Sequence, residues 1–132
     1  MAYRIIQWGS GNVGAQVIAE VARRSDLTLK ALFVYNPDKV GMDAGRIAGT
    51  KKLGVKATNS VEKILALDAD CVIHAPLSSL VYGDDPEADL NTICALLASG
   101  KNVISTVGYM YPKVHGPRVV NKLARACRAG SS

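Results

Sequence analysis

The hexapeptide Gly9-Ser10-Gly11-Asn12-Val13-Gly14 carries the clearest chemical signal in the chain. Gly9 allows a tight turn from strand to helix, Gly11 leaves room for a pyrophosphate, and Gly14 lets the helix pack against the strands. A pyrophosphate there would meet free backbone N–H groups at a helix N-terminus. The spacing therefore predicts a nicotinamide dinucleotide site. The alternatives are a glycine turn without a ligand, and a methyl donor or another adenine ligand on the same motif.

The residues about twenty positions after the motif decide which dinucleotide it would bind. NAD sites usually place Asp or Glu there, where the carboxylate accepts from the ribose hydroxyls. Here the positions hold Val34-Tyr35-Asn36, and Lys39 follows. Without a carboxylate, nothing repels a 2′-phosphate, and a nearby cation attracts it. We therefore expect NADP, with NAD as a possible ligand. Asp38 is the carboxylate that would favour NAD if the strand ran further.

Two later segments should reach the same site, because ligands of parallel α/β sheets lie outside the carboxyl ends of the strands. Ala75 and Pro76 follow a predicted strand and would border the path from adenosine to nicotinamide. Gly108 follows the last predicted strand and suits close backbone approach to the nicotinamide end. His74, inside a strand, is interpreted as a structural histidine rather than a proton donor. These segments complete the predicted cofactor site, for which we expect no catalytic residue and no metal.

The elements that position this site follow from two alternating apolar periods along the chain. Short apolar runs predict strands, and helically spaced apolar residues between them predict helices. Strands separated by helices run parallel with right-handed crossovers, so we predict a single three-layer α/β/α domain. Its sheet is doubly wound, of the Rossmann type, with strand order 3-2-1-4-5. The predicted strands cover residues 3–8, 27–34, 55–57, 69–75 and 102–105.

Capping residues predict where three of the helices begin or end. Ser60 is placed to cap a helix that ends near Leu67. Asp85-Pro86-Glu87 combines an acidic cap with proline at the first helical position, and Gly100 is placed to end that helix. Gly116-Pro117 opens the last helix.

Composition narrows the class of protein. The chain has 132 residues, of which 48% are hydrophobic and 20% charged, and its net charge is +5. These values are typical of one globular domain. No apolar run is long enough to cross a bilayer, and the first residues do not form a signal peptide, so we expect a cytoplasmic protein with no membrane partner. Scattered basic residues without a recognition motif argue against nucleic acid. Cys71, Cys94 and Cys127 have no metal-ligand spacing and are interpreted as small buried hydrophobes.

Four segments together suggest a family: the glycine hexapeptide, Val34-Tyr35-Asn36-Pro37, His74-Ala75-Pro76, and Ala126-Cys127-Arg128-Ala129-Gly130. The chain resembles the N-terminal NAD(P)-binding domain of the dihydrodipicolinate reductase-like oxidoreductases. Within them it resembles the branch of 2,4-diaminopentanoate dehydrogenase and the amine dehydrogenases. The resemblance covers essentially all 132 residues.

The resemblance implies hydride transfer between NAD(P)H and an imine or amine-bearing carbon. It also implies that Asn36 and Lys39 face the adenosine ribose. In the family a larger α+β domain follows, with the substrate site, the oligomer contacts and most catalytic residues, none of which can be matched here. We therefore expect residues 1–132 to form the dinucleotide-binding domain alone, inactive without that C-terminal partner.

Two other functions remain open on the sequence. One is a stand-alone domain that binds a dinucleotide and reports its redox state without catalysis. The other is a complete small enzyme that works as a homo-oligomer, with Tyr109, His74 or Tyr111 supplying acid chemistry. The first would need a DNA-binding or interaction module, and the sequence shows none. For the second, Tyr109 and Lys113 match the Tyr-x-x-x-Lys spacing, but they follow the last predicted strand directly and straddle Pro112, so the match is interpreted as a coincidence.

Overall fold

The computed structural model describes all residues, 1–132. Its centre is a parallel sheet of four strands, β1 (Tyr3–Trp8), β2 (Leu27–Phe33), β3 (Cys71–His74) and β4 (Asn102–Ser105). Their order across the sheet is β2-β1-β3-β4. Every neighbouring pair is parallel, as crossovers through helices require. The predicted α/β doubly wound fold is thus confirmed.

Helices cover both faces of the sheet. Alternate β1 residues point to opposite faces, so that Ile5 joins one buried cluster and Ile6 the other. The Ile5 cluster holds helices α1 (Asn12–Arg23) and α2 (Ala44–Ala48), and the Ile6 cluster holds α3 (Val61–Ala66) and α4 (Ala88–Ala98). A fifth helix, α5 (Pro117–Gly130), packs on α4. None of these helices combines the length and apolarity that a bilayer crossing needs.

The predicted third strand at 55–57 is wrong, since only isolated bridges form there. Thr58 bridges Phe33 in parallel, and Lys56 bridges Asp43 in the antiparallel sense. The Asp43 carboxylate accepts from the backbone N–H groups of Leu53 and Gly54, at 2.9 and 2.7 Å. These bonds hold the preceding segment as a loop and leave too few residues for a ladder. The bridge to Phe33 nevertheless lies on the outer side of β2, where the predicted strand order placed it.

The helix boundaries agree with the caps except at one point. Ser60 Oγ accepts from the Lys63 N–H at 3.3 Å, as expected of an N-cap, and α5 begins at Pro117. Helix α4, however, begins at Ala88 rather than at Pro86. The reason is local, because the Asp85 carboxylate accepts from the Glu87 N–H at 2.9 Å and closes a separate turn before the helix.

The three cysteines are free and only half-buried, so the prediction of full burial is wrong. Each packs beside a buried cluster: Cys71 against the Ile5 cluster, and Cys94 and Cys127 between α4 and α5.

Candidate functional site

A cleft of about 430 Å³ lies at the carboxyl ends of the strands. It runs from the residues after β2 to Thr106 after β4, and so crosses the edge of the sheet. Most of the predicted cofactor residues line it: Gly9, Ser10, Gly11, Asn12, Val13, Asn36, Lys39, Ala75 and Pro76. Three segments distant in sequence therefore meet in one groove.

The three glycines of the loop occupy three different environments. Gly9 has φ +97°, and a Cβ there would lie 2.7 Å from the Ala75 carbonyl oxygen. Gly14 is buried behind the cleft, where a Cβ would overlap the Gly9 carbonyl oxygen. A Cβ on Gly11 would meet no protein atom within 4 Å. Two glycines thus permit the close packing of strand, loop and helix, while Gly11 leaves open space on the side of the cleft.

The N-terminus of α1 opens onto this space. Gly11 is its N-cap, no side chain caps the helix, and no acidic residue lies in the first turn. The first backbone N–H groups of a helix have no partner within it, and the helix dipole favours negative charge there. The end of α1 therefore offers uncapped donors and a positive field to an anion.

Lys39 adds a cation to the lining of the cleft. It ends a short 3₁₀ turn (Pro37–Lys39), and its Nζ lies 3.0 Å from Ser10 Oγ and 3.4 Å from the Ser10 carbonyl oxygen. Asn36 Oδ1 accepts from the Asp38 N–H at 2.9 Å, which leaves Asn36 Nδ2 free to donate. Asp38 does not line the cleft. The groups at this end are therefore hydrogen-bond donors and a cation, with no carboxylate among them.

Tyr35 is a cleft residue that sequence reasoning named only as a neighbour of Asn36. Its hydroxyl accepts from Trp8 Nε1 at 2.7 Å, and Trp8 stacks on Phe33 with ring centroids 3.8 Å apart. Burial raises the pKa of the Tyr35 hydroxyl, and the hydrogen bond from Trp8 offsets part of that effect. The sequence could have indicated this contact, because aromatic residues stand at the ends of both β1 and β2. Neighbouring parallel strands bring those ends together at one edge of the sheet.

His74 lies inside the sheet and does not line this cleft. Its side chain is fully buried, with Nδ1 2.8 Å from Ser105 Oγ on β4. Burial lowers the pKa of His74 to about 4, so the ring is neutral near pH 7. The ring therefore joins two strands and has no path to a ligand.

Gly108 lies outside the lining of the cleft. A Cβ there would approach Leu80 Cδ1 at 2.6 Å, and its carbonyl oxygen lies 2.6 Å from His115 Nε2. Of the segment after β4, Thr106 is the residue that reaches the cleft.

A doubly wound parallel sheet, with a glycine loop leading into a helix at its carboxyl edge, defines the Rossmann class of domains. Residues 3–110 match the family described as "Dihydrodipicolinate reductase, N-terminus". The chain therefore belongs to this family, which confirms the resemblance seen in the sequence.

Two amine dehydrogenases are similar to the chain over most of its length. An amine dehydrogenase of Streptomyces virginiae is 39% identical over 105 residues, which are 79% of this chain and 28% of that protein. The solved amine dehydrogenase of Mycobacterium smegmatis superposes with a TM-score of 0.82 at 20% identity, over 98% of this chain and 37% of that one. The chain thus spans about a third or less of the length of these relatives.

A third similar protein is the biliverdin reductase of Synechocystis sp. PCC 6803, solved in complex with biliverdin and NADP⁺. It superposes with a TM-score of 0.68 at 16% identity, over 98% of this chain and 36% of that one. At this level of identity the likeness concerns the fold alone.

Proposed function

We propose that this chain binds NADP(H), with NAD(H) as a weaker ligand, as the cofactor-binding part of an oxidoreductase. The parent reaction is hydride transfer between the nicotinamide and an imine or amine-bearing carbon. A separate C-terminal domain supplies the substrate site and the catalytic residues, with residues 1–132 forming the dinucleotide-binding domain.

The observation that carries the proposal is the pairing of Lys39 with Ser10 at the rim of the cleft, 3.0 Å apart. Adenosine 2′-phosphate is a dianionic group that needs a cation and neutral donors. Lys39, Ser10 and the free amide of Asn36 provide these, and no carboxylate lines the cleft to repel the phosphate. The NADP⁺ bound to the Synechocystis biliverdin reductase adds support from another protein of the same fold.

The remaining cleft residues act by position. The uncapped N-terminus of α1 binds the pyrophosphate, because its backbone N–H groups have no other acceptor. Ala75 and Pro76 form the rim over which the dinucleotide passes towards Thr106. When bound, the nicotinamide supplies the hydride chemistry, and this chain holds and orients it at the edge of the sheet.

The reaction class is inferred from the family and its relatives. The family description and the amine dehydrogenase of Streptomyces virginiae both concern oxidoreductases. The amine dehydrogenases of Streptomyces virginiae and Mycobacterium smegmatis are both far longer than the chain, which agrees with a second domain for the substrate.

Titration of the purified chain with NADPH and NADH tests the cofactor proposal, with calorimetry or the fluorescence of Trp8, the single tryptophan, as the signal. We expect tighter binding of NADPH. Lys39→Ala should weaken NADPH about tenfold and leave NADH nearly unchanged, since only NADPH carries the 2′-phosphate.

Lys63→Ala is the matched control, because it removes an equal charge from an exposed position on α3. Equal weakening of both nucleotides by Lys39→Ala would refute the phosphate assignment. Absence of binding of either nucleotide at millimolar concentration would refute the cofactor proposal for this chain.

A further inference from the structure

The turn after β4 forms the far end of the cofactor cleft. Thr106 is the residue of this turn that lines the cleft, and the next residue, Val107, is buried against α4 and α5. The glycine loop is proposed to bind the pyrophosphate and Lys39 the 2′-phosphate, so the end at Thr106 is the one left for the nicotinamide. A turn that holds the nicotinamide in one orientation has to keep its own shape.

His74, at the end of β3, holds this turn by its backbone and by its ring. The Thr106 N–H donates to the His74 carbonyl oxygen at 3.0 Å. His74 Nδ1 lies 2.8 Å from Ser105 Oγ, and the same oxygen accepts from the Val107 N–H at 3.3 Å. Thr106 and both of its neighbours in the chain are therefore linked by hydrogen bonds to one buried histidine.

The other ring nitrogen of His74 indicates which way the hydrogen bond to Ser105 runs. Nε2 is buried and has no hydrogen-bond partner within the protein. The ring is neutral near pH 7, because burial lowers its pKa to about 4, and a neutral imidazole carries one proton on its two nitrogens. A proton on Nε2 would leave a buried N–H group without an acceptor, which is rare in proteins. The proton therefore belongs on Nδ1, and the ring donates to Ser105 Oγ.

We propose that His74 is a positioning residue for the nicotinamide end of the cofactor. Its ring orients Ser105 Oγ, Ser105 Oγ accepts from the Val107 N–H, and Thr106 between them is held towards the cleft. His74 itself touches neither the cofactor nor the substrate. A turn that is already ordered needs no further ordering when the ligand binds, so more of the contact energy appears as affinity. This inference rests on the proposed binding of NADP(H).

The test uses two ligands that differ only at the nicotinamide. One is NADPH, and the other is 2′-phospho-ADP-ribose, which is the same molecule without the nicotinamide ring. Calorimetry on the whole chain gives the dissociation constant of each, and their ratio reports on the nicotinamide end alone. We expect the wild-type chain to bind NADPH about tenfold more tightly than 2′-phospho-ADP-ribose.

Two substitutions at His74 separate its hydrogen bond from the bulk of its ring. In His74→Asn the amide nitrogen can replace Nδ1 as the donor to Ser105 Oγ, whereas His74→Leu fills similar space without a donor. We expect His74→Leu and Ser105→Ala to weaken NADPH binding about fivefold and to leave 2′-phospho-ADP-ribose nearly unchanged. His74→Asn should keep most of the wild-type ratio. Ser105→Ala, which removes a single hydroxyl from a half-buried position, carries the test if His74→Leu does not fold.

Asn102→Ala is the matched control, because it removes a hydrogen bond between the same two strands at their opposite end. Asn102 Nδ2 donates to the carbonyl oxygen of Asp70, just before β3, at 3.1 Å. This change loosens the contact between β3 and β4 without touching the turn. The ratio of the two dissociation constants should therefore stay at the wild-type value.

Each outcome decides a different point. Equal affinity of the wild-type chain for both ligands would overturn the inference while leaving the proposed function intact, and this result needs no variant to fold. Parallel weakening of both ligands by Ser105→Ala would overturn it too, because the network would then support the fold rather than the nicotinamide end. So would an unchanged ratio in Ser105→Ala, or a loss in His74→Asn as large as that in His74→Leu. Failure of the wild-type chain to bind either ligand would overturn the proposed function and this inference with it.

Discussion

The two ends of the sheet's carboxyl edge differ in how closely they are packed. Around the glycine loop, Gly9 and Gly14 lie so near the backbone that neither admits a Cβ without displacement. At β4 and beyond it, large apolar side chains are exposed, with Ile104 on the strand at 60% and Met110 after it at 82%. One end is closely packed around the uncapped N-terminus of α1. The other has the exposed apolar character of an interaction surface.

The two ends of the edge differ in how precisely their backbone has to be held. The phosphate end needs fixed backbone donors, because a hydrogen bond to an anion depends on geometry within tenths of an ångström. That rigidity comes from contacts among β1, α1 and β3, and Gly9 against Ala75 is one of them. The β4 end makes fewer such contacts, so changes there should affect the cofactor site less.

The test of this contrast with the largest expected effect compares alanine substitutions at two glycines. Gly14→Ala would place a Cβ on the Gly9 carbonyl oxygen, whereas Gly108→Ala would meet only the flexible end of Leu80. We expect the first to lower the free energy of unfolding by about 3 kcal/mol and to abolish nucleotide binding, because backbone must move. The second should cost less than about 1 kcal/mol.

Urea unfolding and nucleotide titration of both variants provide the measurement. A loss of stability from Gly108→Ala as large as that from Gly14→Ala would show that the β4 end is as tightly packed as the loop.

The second test uses pH and the β3–β4 contact. His74 is buried, and its folded-state pKa of about 4 lies below the usual 6.5. Below pH 6.5 the unfolded chain therefore binds a proton that the folded chain does not, so stability falls as the pH decreases towards 4. We expect a loss of about 2 kcal/mol between pH 7 and pH 5 from this group.

Urea unfolding at several pH values measures the slope, and His74→Gln is the comparison because its side chain does not titrate. If that variant lost as much stability as wild type over the same interval, His74 would not be the source of the pH dependence.

Much of the fold was predictable because its signals are local. The order β2-β1-β3-β4 followed from alternating apolar periods and the handedness of crossovers. The predicted strand at 55–57 failed because the Asp43 carboxylate accepts from the backbone N–H groups of Leu53 and Gly54, 10 and 11 residues further on. The apolar periodicity of residues 55–57 gives no sign of these hydrogen bonds.

The same distinction applies to the site. The glycine loop, Asn36, Lys39, Ala75 and Pro76 were named from motif and strand position, and the structure brings them into one cleft. Thr106 was not named among the cofactor residues, because Gly108 was expected to reach the cleft after β4. Which residue of that segment lines the cleft depends on how the chain turns after the strand, and Gly108 lies against Leu80 instead.

The smallest expected effect on stability is that of Gly11→Ala, which should separate nucleotide binding from stability within the loop. Gly11 has φ −72° and no neighbour within 4 Å of a built Cβ, so alanine should alter the free energy of unfolding by less than about 1 kcal/mol. The added methyl would nevertheless stand where the pyrophosphate approaches α1, and NADPH should bind about tenfold more weakly. Calorimetry with NADPH, beside urea unfolding of the same variant, measures both effects. Undiminished affinity would place the pyrophosphate away from Gly11 and would refute its assignment to the N-terminus of α1.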